Sequence, residues 1–235
     1  HPTLVEAEEA GRTATYLVFI PRDAPGVTLV DDWDGFGQRV TGSGSVVFER
    51  VAVEPGWVVP FQASLERPTA IGPFAQILHA GIDLGIGEGA FAATLPFVRD
   101  RARPWIDSGV TRAGEDPLTL HALGDVQVRL AAADALLTRA GRFVDAAQDA
   151  PDADNVAAAS VAVAEARAAS HRAGLRAANR LLELGGTSAT DRAEALDRYW
   201  RNVRTHTLHD PVRWKYHWIG AYHLDGRLPP RHGAL

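Results

Sequence analysis

The sequence predicts an α+β chain: a partial β-barrel or sandwich over residues 1–65, followed by a long antiparallel four-helix bundle over residues 66–235. Three observations carry this reading. Before residue 65, apolar residues come in short β-branched and aromatic runs bounded by Pro and Gly. After it, they recur at helical spacing over stretches of roughly 30 residues. The links between those stretches are short, which makes successive helices antiparallel neighbours.

The first run is Thr15-Tyr16-Leu17-Val18-Phe19-Ile20, closed by Pro21. Pro25-Gly26 marks a turn before Val27-Thr28-Leu29-Val30, and a glycine-rich stretch follows from Gly35 to Gly44. Ser45-Val46-Val47-Phe48-Glu49-Arg50-Val51-Ala52-Val53 is the next strand, ended by Pro55-Gly56. These are few strands for a closed barrel, so the region reads as part of a β domain. The first helical segment runs from about Thr69 to Arg103, and Pro96 is expected to bend or break it. The second opens at Asp116-Pro117, an N-cap followed by proline in the first helical position. Its stripe is Leu123, Val126, Leu130, Ala133, Leu137, Ala140, Val144 and Ala147. Alternating steps of three and four put that stripe in one narrow seam against a partner helix. The third segment, from about Asp154 to Leu184, is rich in alanine and ends at Gly185-Gly186. The fourth starts near Asp191 and runs to about Leu208, where Asp210-Pro211 stops it.

Composition narrows the function. The chain has 235 residues, 46% hydrophobic and 23% charged, which is enough apolar material and length for a sizeable core. A net charge of −5 argues against a nucleic-acid-binding surface. No apolar run approaches the roughly 20 residues of a membrane span. There is no cysteine, which removes disulfides and thiolate metal sites and fits a cytoplasmic protein. Methionine is absent even at position 1, and no signal-peptide pattern opens the chain. A processed or truncated chain, or the ordered part of a longer one, is therefore expected. Lys215 is the only lysine.

Four motifs stand out. Gly81, Gly85 and Gly89 lie four apart on one helical face, each at a cost of about 1 kcal/mol relative to alanine. Close helix packing or close approach of a ligand would offset that cost. Arg99, Arg101 and Arg103 end the first helical segment before Pro104-Trp105. They either complement the helix dipole or clamp a phosphate. Leu184-Gly185-Gly186-Thr187-Ser188-Ala189-Thr190 combines a C-cap with glycines and hydroxyls suited to cradling an anion. Arg204-Thr205-His206-Thr207-Leu208-His209-Asp210-Pro211 is the densest polar cluster. His206 and His209, three apart, share a helical face. They suit hydrogen bonding or proton transfer better than a metal, whose third ligand would have to come from the same turn. A simple C-terminal cap by histidine is the plain alternative.

In this order the segments resemble the acyl-CoA dehydrogenase superfamily. The closer resemblance is to its flavin-dependent monooxygenase branch, the dibenzothiophene monooxygenase and sulfur-acquisition oxidoreductase group. The residues that carry it are Trp33-Asp34-Gly35-Phe36-Gly37-Gln38-Arg39-Val40-Thr41-Gly42-Ser43-Gly44, Arg103-Pro104-Trp105, Leu184 to Thr190, and Arg201-Asn202-Val203 continuing to Pro211. The resemblance covers essentially the whole chain, but only the C-terminal part of the family pattern. The pattern's N-terminal helical domain and the first half of its β domain lie outside it.

That resemblance implies a homotetramer with flavin at subunit and domain boundaries. It implies reduced FMN supplied by a separate flavin reductase, with FAD as the alternative cofactor. O₂ would react to a flavin C4a-hydroperoxide that oxygenates a small organosulfur substrate. Gly185, Gly186, Thr187 and Ser188 would lie near the flavin phosphate, and Arg101 or Arg103 would reach a phosphate of the flavin on a neighbouring subunit. His206 and His209 would face the isoalloxazine or the substrate.

The competing reading is an FAD-dependent acyl-CoA dehydrogenase, which needs a carboxylate to remove the proton α to a thioester carbonyl. Most such enzymes place a Glu in a Glu-Gly-Thr turn after the last bundle helix. Here that place reads His209-Asp210-Pro211, so Asp210 would be the base, one methylene shorter and followed by Pro. Others carry the Glu on the first bundle helix, where this chain has Phe74-Ala75-Gln76 and no carboxylate. A third reading, a non-enzymatic helical interaction protein, gives the helix-face glycines and the histidine pair nothing to do.

Overall fold

The computed structural model describes residues 1–9 and 11–234. The chain forms two compact units. One comprises His1–Gly35 and Arg39–Thr69; the other comprises Phe36–Gln38 and the residues from Ala70 onward.

The first unit holds five strands, β1 (Pro2–Glu9), β2 (Arg12–Phe19), β3 (Val27–Val30), β4 (Ser45–Phe48) and β5 (Val58–Val59), and a short helix α1 (Phe61–Glu66). β1 and β2 pair antiparallel from Pro2↔Phe19 to Glu9↔Arg12. β5 joins the other edge of β2, giving the order β1-β2-β5, while β3 and β4 form a separate antiparallel pair. Both sheets are open, and the described residues close no barrel. β4 stops at Phe48, short of the run expected to Val53, because Arg50 turns into the left-handed region at φ 52°. Asp32 pins the start of β4, accepting from the Ser45 amide and the Ser45 hydroxyl at 2.7 Å each.

The second unit contains α2 (Ile71–Asp100), α3 (Pro117–Asp149), α4 (Ala153–Gly185), α5 (Asp197–His206) and α6 (Arg213–Asp225). The α4 helix packs against both α2 and α3 and supplies much of the core. Its alanines let neighbouring backbones approach closely. At the crossing of α2 and α4, Gly87 faces Gly174: a Cβ on Gly87 would lie 2.8 Å from the Gly174 Cα. The α3 seam is seated in the core through Val126, Leu130, Ala133, Ala140, Val144 and Ala147, all buried. Asp116 caps α3 by accepting from the Leu118 amide at 2.9 Å, and Asp152 caps α4 by accepting from the Asn155 amide at 2.8 Å.

Two expectations need correction. The fourth long helix does not form. A 3-10 turn spans Thr187–Thr190, Ala195 adopts φ 51°, and only Asp197–His206 is α-helical, so the bundle has three long helices and two short ones. The α6 helix was not anticipated. Pro96 does not break α2, which continues to Asp100 with Phe97 and Val98 buried just beyond it. Gly81 and Gly85 meet nothing within 4 Å in this protomer, whereas a Cβ on Gly89 would lie 3.0 Å from the Tyr199 ring.

The short segment Phe36–Gln38 belongs with the helical unit. Phe36 stacks on Trp200 with centroids 5.8 Å apart. Arg201 donates to the Phe36 carbonyl at 2.9 Å, and the Gln38 amide donates to Asn202 Oδ1 at 2.9 Å. Two of the stretches that carry the family resemblance thus bind each other.

Candidate active site

The α2 helix presents Gln76, His79 and Asp83 at steps of three and four, so all three lie on one face. That face meets Arg167 of α4, His206 at the end of α5, the His209-Asp210 turn, and Lys215 in the first turn of α6. Asp83 is 0% exposed and Arg167 2%, and they form a buried ion pair. The other Asp83 oxygen, Oδ1, lies 2.6 Å from His206 Nδ1. His206 Nε2 lies 3.1 Å from His79 Nδ1. The rings of His79 and His209 have centroids 4.1 Å apart, tilted by 34°.

A second chain of contacts starts at His209. Its Nδ1 is 3.6 Å from Asp210 Oδ1, and Asp210 Oδ2 is 3.4 Å from Lys215 Nζ. Lys215 also donates to Gln76 Oε1 at 3.0 Å and to the Ala234 carbonyl. Gln76 in turn donates to the Gly233 carbonyl at 2.8 Å. The only lysine of the chain is therefore buried, tying α6, α2 and the C-terminal tail together.

Burial pushes the His79 imidazole down to about 4, reinforced by His209, Arg167 and His206 and partly offset by Asp210. His79 is thus a neutral ring near neutral pH. Burial alone would raise the Asp210 carboxyl, but the Lys215 ammonium outweighs it, with help from Arg167 and His209, and the carboxyl stays below its ordinary value. Burial also lowers the Lys215 ammonium, against the pull of Asp210.

The sign of the pH effect follows. Between about pH 6.5 and 4, an unfolded His79 takes a proton that the folded ring refuses, so the unfolded state binds more protons. Stability then falls as pH drops through that window. Asp210 works in the same direction at lower pH, because its folded carboxyl holds its proton less tightly than the unfolded one. The melting temperature is expected to fall steadily from pH 7 to pH 4.5. His79→Phe should flatten that slope, and an unchanged slope in the variant would refute the assignment.

Of the arginines ending α2, Arg103 lies past the helix and lines a cavity of about 560 Å³ with Gly185, Gly186, Thr187 and Ser188. Gly186 takes φ 63°, a conformation that lets the α4 terminus turn sharply into the 3-10 turn. Asp116 and Glu183 also line the cavity. Asp116 is engaged as the α3 cap, and Glu183 is paired with Arg180. Arg101 is elsewhere: it pairs with Glu194 at 2.5 Å and lies 5.0 Å over the Phe97 ring. Arg99 pairs with Asp100 at 2.9 Å.

The structure therefore gathers Arg103 with the Gly-Gly-Thr-Ser turn, and His206 with His209. Arg101 is not among the residues that line the cavity. His79, Asp83, Arg167, Gln76 and Lys215 join the histidine cluster without having been anticipated. Among the described residues, no group of three or more His, Cys, Asp or Glu is arranged to hold a metal ion.

Residues 77–214, more than half of the chain, match the acyl-CoA dehydrogenase C-terminal domain. The chain belongs to this family. The acyl-CoA dehydrogenase-type chain is 39% identical over 218 residues to a probable FMNH2-dependent monooxygenase, SfnC, from Pseudomonas putida, covering 91% of this chain and 55% of that protein. It is 38% identical over 221 residues to a dibenzothiophene monooxygenase from Mycolicibacterium goodii, covering 89% and 53%. Among solved structures, the methanesulfinate monooxygenase MsuC from Pseudomonas fluorescens superposes with a TM-score of 0.92 at 35% identity, covering all of this chain and 62% of that one. The chain thus spans just over half the length of the curated relatives it matches. Among the described residues, no helix is long and apolar enough to cross a membrane.

Proposed function

We propose that the chain is the C-terminal part of a flavin-dependent monooxygenase that uses reduced FMN and O₂ on a small organosulfur substrate. The observation that carries this is at Asp210. The side chain in the place of a dehydrogenase base is 6% exposed and held against Lys215, while His79, His206 and His209 gather beside it. A thioester α-proton base must face its substrate and accept a proton. Asp210 is turned inward and its carboxyl is held below its ordinary value, so it serves to anchor α6. Gln76, the other place where a base would stand, is buried against Lys215 and the Gly233 carbonyl.

The cavity beside Gly185, Gly186, Thr187 and Ser188 suits the single phosphate of FMN, because residues with hydroxyls, a turning backbone and Arg103 all line it. The same lining on one chain favours one phosphate held by both. When bound, reduced FMN supplies the activation of O₂. This chain's part is to hold the phosphate, exclude water from the reacting end, and manage one proton through His206 and His209. The names of the relatives, an FMNH2-dependent monooxygenase and enzymes of dibenzothiophene and methanesulfinate, support FMN over FAD and an organosulfur substrate class.

The same reading includes a homotetramer in the cytoplasm, supplied by a separate flavin reductase. Phe74, Leu78 and Ile82 form an exposed apolar stripe on α2, and Gly81 and Gly85 leave that helix face open to a close neighbour. A second copy of the chain is the occupant we propose. Light scattering of the full-length protein should report a tetramer, and a stable monomer would remove this part of the reading.

The activity test supplies full-length protein with reduced FMN, O₂ and a panel of organosulfur compounds. A parallel assay offers acyl-CoA thioesters with an electron acceptor. Oxygenated product is expected only in the first. His209→Ala should keep flavin binding, form less product per reduced flavin and release more hydrogen peroxide. Acyl-CoA turnover that disappears in Asp210→Asn, with no oxygenated product from any compound, would favour the dehydrogenase instead.

A further inference from the structure

We propose that Asp83 is a positioning residue that fixes the protonation pattern of His206 and, through it, makes His79 the outer end of a two-histidine proton relay. The geometry stands by itself; its use in oxygenation rests on the function proposed above. An ionised carboxylate only accepts hydrogen bonds, so the 2.6 Å contact from Asp83 Oδ1 puts a proton on His206 Nδ1. The neutral His206 ring then offers a lone pair at Nε2. That lone pair faces His79 Nδ1 at 3.1 Å, so His79 carries its proton on Nδ1 and keeps Nε2 bare.

Arg167 makes this arrangement rigid. It pairs with the second Asp83 oxygen and donates to the His79 carbonyl at 3.2 Å. One guanidinium thus holds both the carboxylate and the turn of α2 that carries His79. His209 covers the His79 ring from the exposed side. Asp210, tied to Lys215 of α6, adds a negative field at His79, and His171 of α4 and Arg204 of α5 lie in the same field around Asp83 and Arg167.

The transfer balances simply. A general acid in solution, hydronium or buffer, gives a proton to His79 Nε2. The Nδ1 proton of His79 crosses to His206 Nε2. His206 becomes an imidazolium between the Asp83 carboxylate and a neutral His79, and the positive charge has moved one ring inward. The reverse sequence returns the proton. Burial and cationic neighbours hold His79 at about 4, so it passes a proton on and does not store it. The Asp83 carboxylate lies 2.6 Å from Nδ1 of the ring that receives the proton.

The test is nitrogen NMR of the full-length protein labelled with ¹⁵N-histidine, at pH 8 and without flavin or substrate. In the wild type, His206 should show a protonated Nδ1 and a bare Nε2, and His79 should show a protonated Nδ1. Asp83→Asn should mix the two His206 tautomers. A proton on His206 Nε2 in the wild type, or an unchanged His206 pattern in Asp83→Asn, would overturn the proposal. Should Asp83→Asn fail to fold, the His79 variants decide. His79→Gln keeps an N–H for His206 Nε2 but has no second ring nitrogen to take up a proton, so it should keep the proton on His206 Nδ1 and still lose product per reduced flavin, as His79→Phe should. Wild-type product per reduced flavin in His79→Gln would sink the relay. Because the spectra need no turnover, a protein with the stated tautomers and no oxygenation would refute the function and leave the relay standing.

Discussion

Replacing Arg167 with alanine is expected to destabilise the full-length protein by about 3–5 kcal/mol in urea unfolding. The side chain is buried and so is Asp83, and their ion pair crosses from α4 to α2. Removing the cation leaves a carboxylate in the core with only His206 at 2.6 Å, which is the costly half of a buried pair. The same substitution frees the His79 carbonyl that Arg167 bonds. The comparison is Arg139, which pairs with Glu165 at 2.6 Å on the surface, its side chain 48% exposed. Arg139→Ala should cost less than about 1 kcal/mol, since solvent screens that pair. A double replacement, Arg167→Met with Asp83→Leu, should recover much of the loss, because it removes both charges and fills their space. If Arg167→Ala cost no more than Arg139→Ala, the pair would not be holding α2 to α4.

What the sequence discloses about this fold is what is encoded locally. Asp116-Pro117 announces the start of α3 because capping needs only neighbouring residues, and Gly185-Gly186 announces the end of α4 for the same reason. The α3 stripe is legible because one face of that helix is buried along its length. The α6 helix escapes this logic: only Lys215 and Ala221 are buried, and Trp214, Tyr216, His217 and Trp218 spread aromatic and polar groups around it, so no stripe appears. The β1 strand, Pro2–Glu9, is hidden by its glutamates, and its partner is set by pairing with β2.

The candidate site divides in the same way. His206 and His209 stand out because they lie three apart, although His206 ends α5 and His209 lies in the turn beyond it. Nothing local marks His79, 127 residues earlier in the chain, as the partner of His206, or Arg167, 84 residues after Asp83, as the partner of that carboxylate. The Asp83–Arg167 pairing is a product of the α2–α4 crossing, where Gly87 and Gly174 bring the two backbones together, and the His79–His206 pairing is a product of α5 packing on α2. The three arginines could not be told apart by spacing. They differ because α2 ends at Asp100: Arg99 is still on the helix, Arg101 folds back onto Phe97 and Glu194, and Arg103 is carried into the cavity.

That difference sets the last expected result. Arg103→Ala should weaken FMN binding to the full-length protein by about 1.5–3 kcal/mol, roughly a 10- to 150-fold rise in Kd. The loss is that of a charge-assisted bond to phosphate, and the Gly-Gly-Thr-Ser turn that lines the same cavity would keep part of the site. Arg101→Ala should have the smaller effect, because that guanidinium is already engaged by Glu194 and the Phe97 ring. Riboflavin separates phosphate binding from general damage, since it has the ring and no phosphate. Its affinity should be nearly equal in wild type and Arg103→Ala if the arginine acts on phosphate alone. Raising the salt concentration should narrow the FMN difference between the two proteins, because a partly solvated phosphate contact is screened. Equal losses for FMN and riboflavin would mean that Arg103 shapes the cavity wall and does not bind the anion. A larger loss in Arg101→Ala would move the phosphate to the Glu194 side of the helix end.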